Sequence, residues 1–141
     1  METTLTIIKP DSVAAGTSGA ILAHLEKEGF TLRQIARRRL SQAQAQAFYE
    51  VHRERPFYDS LVAFMTEGPV VVAALEREGA VGHLREVMGA TNPEDAAAGT
   101  IRALYGTSIE RNAIHGSDSP DNAALELAFF FARADLIATA V

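Results

Sequence analysis

Residues 68–75 read GPVVVAAL, and this stretch predicts a buried β-strand. Gly68 and Pro69 form a pair that is typical of a turn and that ends the helical pattern before it. The residues that follow, 70–75, are apolar without a polar interruption. A short continuous apolar run bounded by turn residues is typical of a strand that is covered in the folded protein.

The segments before this strand are predicted from β-branched runs, helical spacing and capping residues. Gly29 is placed as the C-cap of one helix. Ser41 and Gln44 form a capping-box pattern that opens another, and Pro56 separates that helix from the next. The predicted elements are, in order, a strand over residues 4–8, a helix over 18–28, a strand over 31–40, a helix from 41 to about 52 and a helix around 61–65.

After the 70–75 strand the pattern predicts a helix over about 81–88, closed by Gly89. Residues 90–111 form a long irregular segment rich in Gly, Thr and Asn, and such segments are more often functional than accidental. A short strand around 113–115 and a helix near Pro120, with Ser119 as its N-cap, complete the chain. The order is βαββαβ with an inserted helical hairpin, which predicts an α+β fold: an antiparallel sheet with helices on one face.

Composition and charge exclude several classes of protein. The length predicts a single domain over residues 1–141, and the absence of cysteine excludes disulfides and thiolate metal ligands. A formal net charge of −5 argues against a nucleic-acid binder, so an anionic ligand needs a local cluster of cations. No signal peptide and no apolar run near the roughly 20 residues of a membrane helix is visible. We therefore expect a cytoplasmic protein with no membrane contact.

One histidine stands apart from the other three. His24, His52 and His83 lie on predicted helices beside charged residues, which favours solvated side chains, and no pair has the spacing of zinc ligands. His115, in the stretch NAIHGSDSPDNAALE over 112–126, follows a strand instead. The neighbouring Gly116 would let a ligand approach closely. The alternative for His115 is a core histidine hydrogen-bonded to a neighbour.

A carboxylate in the following helix favours the functional interpretation of this histidine. Glu126 interrupts an otherwise apolar run over 123–131, and an unpaired carboxylate there would be costly. We therefore predict that it has a buried partner, and His115 is the candidate. A carboxylate that accepts from one ring nitrogen fixes the tautomer and leaves the lone pair of the other nitrogen free to attack.

Candidate anion-binding groups lie at the end of the first strand and around the long segment. Lys9 ends the first strand beside a turn, where it could hold an anion, although a plain surface lysine is the alternative. Arg85 and Arg102 flank the long segment, and with Thr91 they could clamp a phosphate. An ordinary capped helix start at 91–95 is compatible with this, because such starts present free N–H groups. No P-loop and no protein-kinase motif is present.

Two further features have competing interpretations. Phe57, after Arg55 and Pro56, is either a core residue or an exposed aromatic that stacks on a flat ligand. Stacking on a base contributes about 1–3 kcal/mol and tolerates any base. The run of arginines over 37–39 favours a solvated edge strand over a nucleic-acid patch, because successive strand residues alternate faces.

Taken together, these segments make the chain similar to the nucleoside diphosphate kinase family from about Leu5 to Phe131. The resemblance implies a ferredoxin-like βαββαβ core with a helical hairpin. The segment around the histidine is the most specific, whereas GATNP or KPD alone would be weak. The matching segments are TIIKPD, FYEVHRERPF, LVAFMTEGPVVV, GATNP, GTIR and RNAIHGSDS.

The resemblance also implies a role for each site residue. His115 would be the nucleophile that becomes phosphohistidine, with Glu126 orienting its ring and Ser117 supporting the site by hydrogen bonding. The remaining roles are Lys9 at the ribose hydroxyl and the transferring phosphate, Tyr49 near that phosphate, Arg85, Thr91 and Arg102 at the outer phosphates, Asn112 at the sugar, and Phe57 with Ile109 on the two sides of the base.

The implied reaction is a ping-pong transfer from a nucleoside triphosphate, typically ATP, to a nucleoside diphosphate. Mg²⁺ would be bound through phosphate oxygens and water, with no direct protein ligand. The family forms homo-oligomers, tetramers or hexamers built from a common dimer. The chain departs from the usual pattern at Thr3, at Leu104, where an Asp is usual, and in its short end ATAV over 138–141.

Two other functions remain open from the sequence. A non-catalytic ferredoxin-like nucleotide-binding module would lack the nucleophile, its partner or the phosphate cations, and all of these residue types are present. A phosphohistidine donor to other proteins would share the first half-reaction. Discharge of the phosphorylated chain by a free nucleoside diphosphate distinguishes the expected enzyme from such a donor.

Overall fold

The computed structural model describes residues 1–137, so the short end ATAV lies outside the described residues. Short 3₁₀ turns cover Glu50–His52 and Pro93–Asp95. The strands and helices are β1 (Glu2–Ile8), α1 (Pro10–Ala14), α2 (Ser18–Lys27), β2 (Thr31–Arg38), α3 (Gln42–Phe48), α4 (Tyr58–Met65), β3 (Val70–Arg77), α5 (Ala80–Met88), α6 (Ile101–Tyr105), β4 (Ile114–Gly116), α7 (Pro120–Phe130) and α8 (Arg133–Leu136).

The four strands form one antiparallel sheet in the order β2-β3-β1-β4. The GPVVVAAL strand, β3, therefore lies inside the sheet between β2 and β1. The pair α3–α4 forms the helical hairpin between β2 and β3. This α+β arrangement is the ferredoxin-like order that the sequence predicted, and it pairs His115 on β4 with Ile7 on β1.

Helices cover both faces of the sheet, so the prediction of helices on one face is wrong. Val70 and Val72 pack on one face, in a core that includes residues of α3, α4 and α7. Val71 and Leu75 pack on the other, in a core that includes residues of α2 and α5. Because neighbouring side chains of a strand alternate faces, an apolar run without interruption needs cover on both.

Some elements end at other residues than predicted. The capping box is confirmed, since Ser41 Oγ accepts from Gln44 N–H and the Gln44 side chain accepts from Ser41 N–H. The α-helix nevertheless stops at Phe48, because the Tyr49 backbone leaves helical geometry, with φ −98° and ψ 17°. The long segment is only partly irregular, because Thr100 caps the short helix α6 within it.

Strand β2 is one of the two edge strands of the sheet, and residues 37–39 are exposed, which confirms the interpretation of the arginine run as a solvated edge. Strand β2 ends at Arg38, earlier than predicted.

Over residues 1–137, no helix is both long enough and apolar enough to cross a bilayer.

Candidate active site

A cavity of about 390 Å³ opens beside the carboxyl end of β1 and strand β4. Its wall combines residues from four regions: the end of β1, the helical hairpin, the segment 90–111 and β4. Most of the sequence-predicted site residues lie in it. The lining residues are Lys9, Tyr49, Phe57, Leu61, Thr91, Arg102, Ile109, Glu110, Asn112 and His115.

The histidine at this cavity is hydrogen-bonded to the predicted carboxylate. His115 Nε2 lies 2.7 Å from Glu126 Oε1, and Ser117 Oγ donates to the same oxygen at 2.9 Å. The rings of Phe48 and His115 pack in a T-shaped arrangement, with ring centroids 5.6 Å apart. Because Nε2 is engaged with a carboxylate, Nδ1 is the ring nitrogen that remains available for chemistry.

The start of α7 explains how the chain brings Glu126 to the histidine. Ser119 Oγ accepts from Asn122 N–H, and Pro120 occupies the first turn, so the helix begins directly after β4. Glu126 then lies within two turns of the helix start, on the side that faces the sheet edge. The partner that was predicted for this carboxylate is therefore His115.

Gly116 has a different role from the predicted one. A Cβ at this position would lie 2.9 Å from Leu84 Cδ2 and 2.9 Å from Met88 Sδ, both on α5. The absent side chain therefore allows β4 to pack closely on α5, and it does not open a path for a ligand. The sequence could not show which part of the molecule approaches this glycine.

Lys9 is buried, so the interpretation of it as a surface lysine is wrong. Its Nζ donates to Asn112 Oδ1 at 2.8 Å, and Asn112 Nδ2 donates to Thr91 O at 3.0 Å. Burial, helped by the positive charge of Arg102, lowers the pKa of Lys9 to about 8. The Lys9 and Asn112 side chains and the Thr91 carbonyl form a connected polar wall from the end of β1 to the start of the long segment.

Arg102 is also buried and is held by two backbone carbonyls. Its Nη1 donates to Gly89 O at 3.1 Å and its Nη2 to Ile114 O at 2.8 Å. Burial, with a contribution from the charge of Arg85, lowers the pKa of Arg102 to about 10. Arg85 itself is exposed and lies outside the cavity lining. Arg102 therefore adds positive charge to the cavity wall, and Arg85 lies near enough for its charge to act on Arg102.

Tyr49 presents a buried hydroxyl at this cavity. Within the part of the chain that the structure describes, Tyr49 Oη has no hydrogen-bond partner. Burial, followed by the negative charge of Glu126, raises the pKa of Tyr49 well above its usual range. The hydroxyl therefore keeps its proton and can donate to an anion in the cavity.

Two exposed apolar side chains, Phe57 and Ile109, line the cavity. The Ser60 hydroxyl, on α4, donates to the Glu110 carboxylate at 2.8 Å and so ties the Ile109 segment to the hairpin. Sequence reasoning missed two lining residues: Leu61, which was used only to predict the helix around 61–65, and Glu110. Nothing in the sequence distinguished Glu110 from other surface carboxylates.

The other histidines are not freely solvated, since all three are half-buried. His83 Nε2 lies 3.1 Å from Glu28 Oε1 and so links α5 to the end of α2. His24 lines a separate surface depression near Glu28, and the rings of His52 and Phe57 lie 5.4 Å apart. His115 differs from them because its carboxylate partner, Glu126, also accepts a hydrogen bond from the Ser117 hydroxyl.

Comparison with known proteins agrees with this geometry. The family described as "Nucleoside diphosphate kinase" matches residues 2–136. A nucleoside diphosphate kinase of Sorangium cellulosum is 56% identical over 132 residues, which cover 94% of this chain and 92% of that protein.

Solved structures of the same kind share the fold. The nucleoside diphosphate kinase of Aquifex aeolicus has a TM-score of 0.94 at 45% identity and covers 96% of this chain and 99% of its own. That of Halobacterium salinarum, solved in complex with CDP, has a TM-score of 0.93 at 38% identity and covers 99% and 93%. The chain belongs to the nucleoside diphosphate kinase family, whose members are phosphotransferases that pass a phosphoryl group from a nucleoside triphosphate to a nucleoside diphosphate.

Proposed function

We propose that this chain carries out the family's transfer through a phosphohistidine on His115. The observation that carries the proposal is the hydrogen bond from His115 Nε2 to Glu126, at a cavity whose other wall is cationic. In the first half-reaction the lone pair of Nδ1 attacks the γ-phosphorus. The bond from that phosphorus to the β–γ bridging oxygen breaks, and the nucleoside diphosphate leaves with the oxygen.

In the second half-reaction a different nucleoside diphosphate collects the group. A β-phosphate oxygen attacks the phosphorus on Nδ1, and the nitrogen–phosphorus bond breaks to regenerate the imidazole. Glu126 supports both steps, because a carboxylate on Nε2–H stabilises the positive charge that the ring carries while Nδ1 is phosphorylated. Ser117 holds the same carboxylate oxygen and so restricts the Glu126 side chain.

Phosphate binding is assigned to the side of the cavity that carries Lys9 and Arg102. Lys9 and Arg102 are buried there, and the pKa of each is lowered, so both charges lack full compensation in the free protein. A phosphate chain supplies the missing negative charge, although the chain as a whole carries a net −5. Thr91, Tyr49 and the more exposed Arg85 are proposed to complete the hold on the phosphates.

The nucleoside is assigned to the opening of the same cavity. The base would lie between Phe57 and Ile109, and Asn112 with Lys9 would bind the sugar hydroxyls. Phe57 and Ile109 would contact the flat faces of the base and not the hydrogen-bonding groups at its edge. Because every base has such a face, these contacts support acceptance of any nucleoside.

Mg²⁺ is proposed to enter on the phosphates of the nucleotide. Within residues 1–137 no group of three His, Asp or Glu side chains could hold a metal ion, and the Glu110 carboxylate in the cavity wall is engaged with Ser60. The residues present therefore fit an ion bound by phosphate oxygens and water. When bound, Mg²⁺ neutralises charge that develops on the transferring phosphate.

The assembly and location of the chain are also proposals. Family membership supports a homo-oligomer, a tetramer or hexamer built from dimers, of chains that each form one domain over residues 1–141. The nucleoside tri- and diphosphate substrates support a cytoplasmic location.

Labelled phosphate tests the proposal. Incubation with [γ-³²P]ATP and Mg²⁺ should give an acid-labile phosphoprotein, and added GDP should discharge it with formation of labelled GTP. Retention of the label by a His115→Ala variant, or no labelling of the native chain, contradicts the proposal. Discharge by another protein but not by GDP would favour the phosphohistidine donor instead.

The lowered pKa of Lys9 predicts the alkaline limb of activity. Above pH 8 the free enzyme loses the Lys9 proton and with it a phosphate-binding charge. We therefore expect kcat/KM to fall about tenfold per pH unit above that point, since kcat/KM reports groups of the free enzyme. The profile from pH 6 to 10 measures this, with Lys9→Arg as the variant that should shift the limb upwards. A flat profile to pH 10 contradicts the assignment.

A further inference from the structure

Ala113 has a backbone conformation that L-residues rarely adopt. Its φ is +74°, and it is the one non-glycine residue with positive φ within residues 1–137. The Ile114 N–H donates to Asn112 O at 2.9 Å, so the chain makes a tight turn about Ala113. The turn lies between Asn112, in the cavity wall, and His115, which are only three positions apart in the sequence. Because of the turn, strand β4 begins at Ile114 and not at residue 113 as predicted.

Two hydrogen bonds from one short segment hold this turn. The Ala113 N–H donates to Asp11 Oδ2 at 3.1 Å, and the Lys9 N–H donates to Ala113 O at 2.9 Å. Ala113 is fully buried, so water does not replace either partner. The same three residues, Lys9 to Asp11, thus supply a phosphate-binding cation and the clamp on the strained turn.

We propose that Asp11 is a positioning residue that holds Ala113 in its left-handed conformation and thereby places Asn112 and His115 for phosphoryl transfer. This inference rests on the proposed function of His115. Non-glycine residues stay at positive φ only where the surroundings enforce it, and such strain is found at functional sites. Without the Asp11 acceptor, the Ala113 N–H would be buried without a partner, and the backbone would relax towards negative φ.

Asp11 could act through its charge instead of its hydrogen bond, because its carboxylate lies near Lys9 and Arg111. The two actions separate in variants. Asp11→Asn removes the charge but keeps a side-chain oxygen that can accept from Ala113 N–H. Asp11→Ala removes both. Ala113→Gly removes the strain, because glycine adopts positive φ without steric cost.

The test measures the single-turnover rate of His115 phosphorylation at saturating Mg·ATP, where nucleotide affinity does not enter. We expect Asp11→Ala to lower this rate by about 10- to 100-fold, the range expected for a displacement of the reacting group of up to 1 Å. Asp11→Asn should stay close to the native rate. The double variant Asp11→Ala/Ala113→Gly should recover most of the loss, which a purely structural role for Asp11 would not produce.

Three results would overturn the inference: a native rate in Asp11→Ala, an equal loss in Asp11→Asn, or a double variant that is as slow as Asp11→Ala. If Asp11→Ala does not fold, the comparison of Asp11→Asn and the double variant with native protein and Ala113→Gly decides the question. Failure of the native chain to become phosphorylated would contradict the proposed function, whereas native labelling with unaffected Asp11 variants would contradict only the positioning role.

Discussion

Replacement of His115 by alanine should lower kcat by about four to six orders of magnitude, the loss expected when a covalent nucleophile is removed. The variant should also accept no phosphate from labelled ATP. Steady-state turnover of ATP with a second nucleoside diphosphate measures the first effect. His24→Ala is the matched control, because His24 is a half-buried histidine on α2 outside the cavity, and it should retain native turnover.

The size of this loss follows from what else lies in the cavity. The raised pKa of Tyr49 keeps its hydroxyl protonated, and Lys9, with a pKa of about 8, is mostly protonated at pH 7. Neither group can replace an imidazole nitrogen as nucleophile. Residual turnover above about 1% of native in His115→Ala would lie far outside the expected loss and would contradict the proposed covalent route.

Replacement of Lys9 by methionine should lower kcat/KM by about 10²- to 10³-fold, as for loss of one preorganised donor to a developing charge. The stability of the protein should not fall with it. The lowered pKa means that the fold binds the Lys9 proton less tightly than the unfolded chain, at about 1.4 kcal/mol per pKa unit. Below pH 8 the charged Lys9 therefore destabilises the fold. An apolar side chain of similar length removes that cost, which offsets the roughly 1–3 kcal/mol expected for leaving the buried Asn112 Oδ1 without its donor.

Two measurements check this prediction. Steady-state kinetics give kcat/KM, and urea unfolding at pH 7 gives a free energy of unfolding that should equal or exceed the native value. Lys27→Met is the control, since Lys27 is the only other lysine of the chain and is exposed at the end of α2. Native kcat/KM in Lys9→Met, or a loss of activity explained by unfolding, would contradict the role assigned to Lys9.

The fold could be predicted from patterns that local physics controls. The apolar run of β3, the capping box at Ser41 and the cap at Ser119 each determine an element through neighbours in the sequence. The number of covered faces could not be predicted in this way, because it depends on where α3, α4 and α7 return in space. The early end of α3 likewise follows from the conformation of Tyr49, which the sequence pattern does not specify.

The histidine–carboxylate contact was predicted for a physical reason that the structure supports. An ionisable side chain within an apolar helix face needs a partner, and Glu126 has two, His115 and Ser117. The details that position the histidine were not predictable. The positive φ of Ala113 and the acceptor role of Asp11 depend on contacts between residues about 100 positions apart, and no local pattern encodes them.

Arg102 illustrates the same limit within the site. Its sequence context predicted a phosphate ligand, and it does line the cavity. Its guanidinium also donates to the carbonyls of Gly89 and Ile114, which fastens the long segment to β4. Only the folded chain shows that the side chain proposed to bind phosphate also fastens the long segment.

We propose that Glu126 occupies Nε2 of His115 and so directs the phosphoryl group to Nδ1. Phosphorylation of ¹⁵N-histidine-labelled protein with Mg·ATP, followed by ³¹P–¹⁵N correlation spectroscopy and mapping of the modified peptide, measures which nitrogen of which residue is bonded to phosphorus. We expect a single phosphohistidine, at residue 115, with phosphorus on Nδ1. Phosphorus on Nε2 of His115, or on any other side chain, would contradict it.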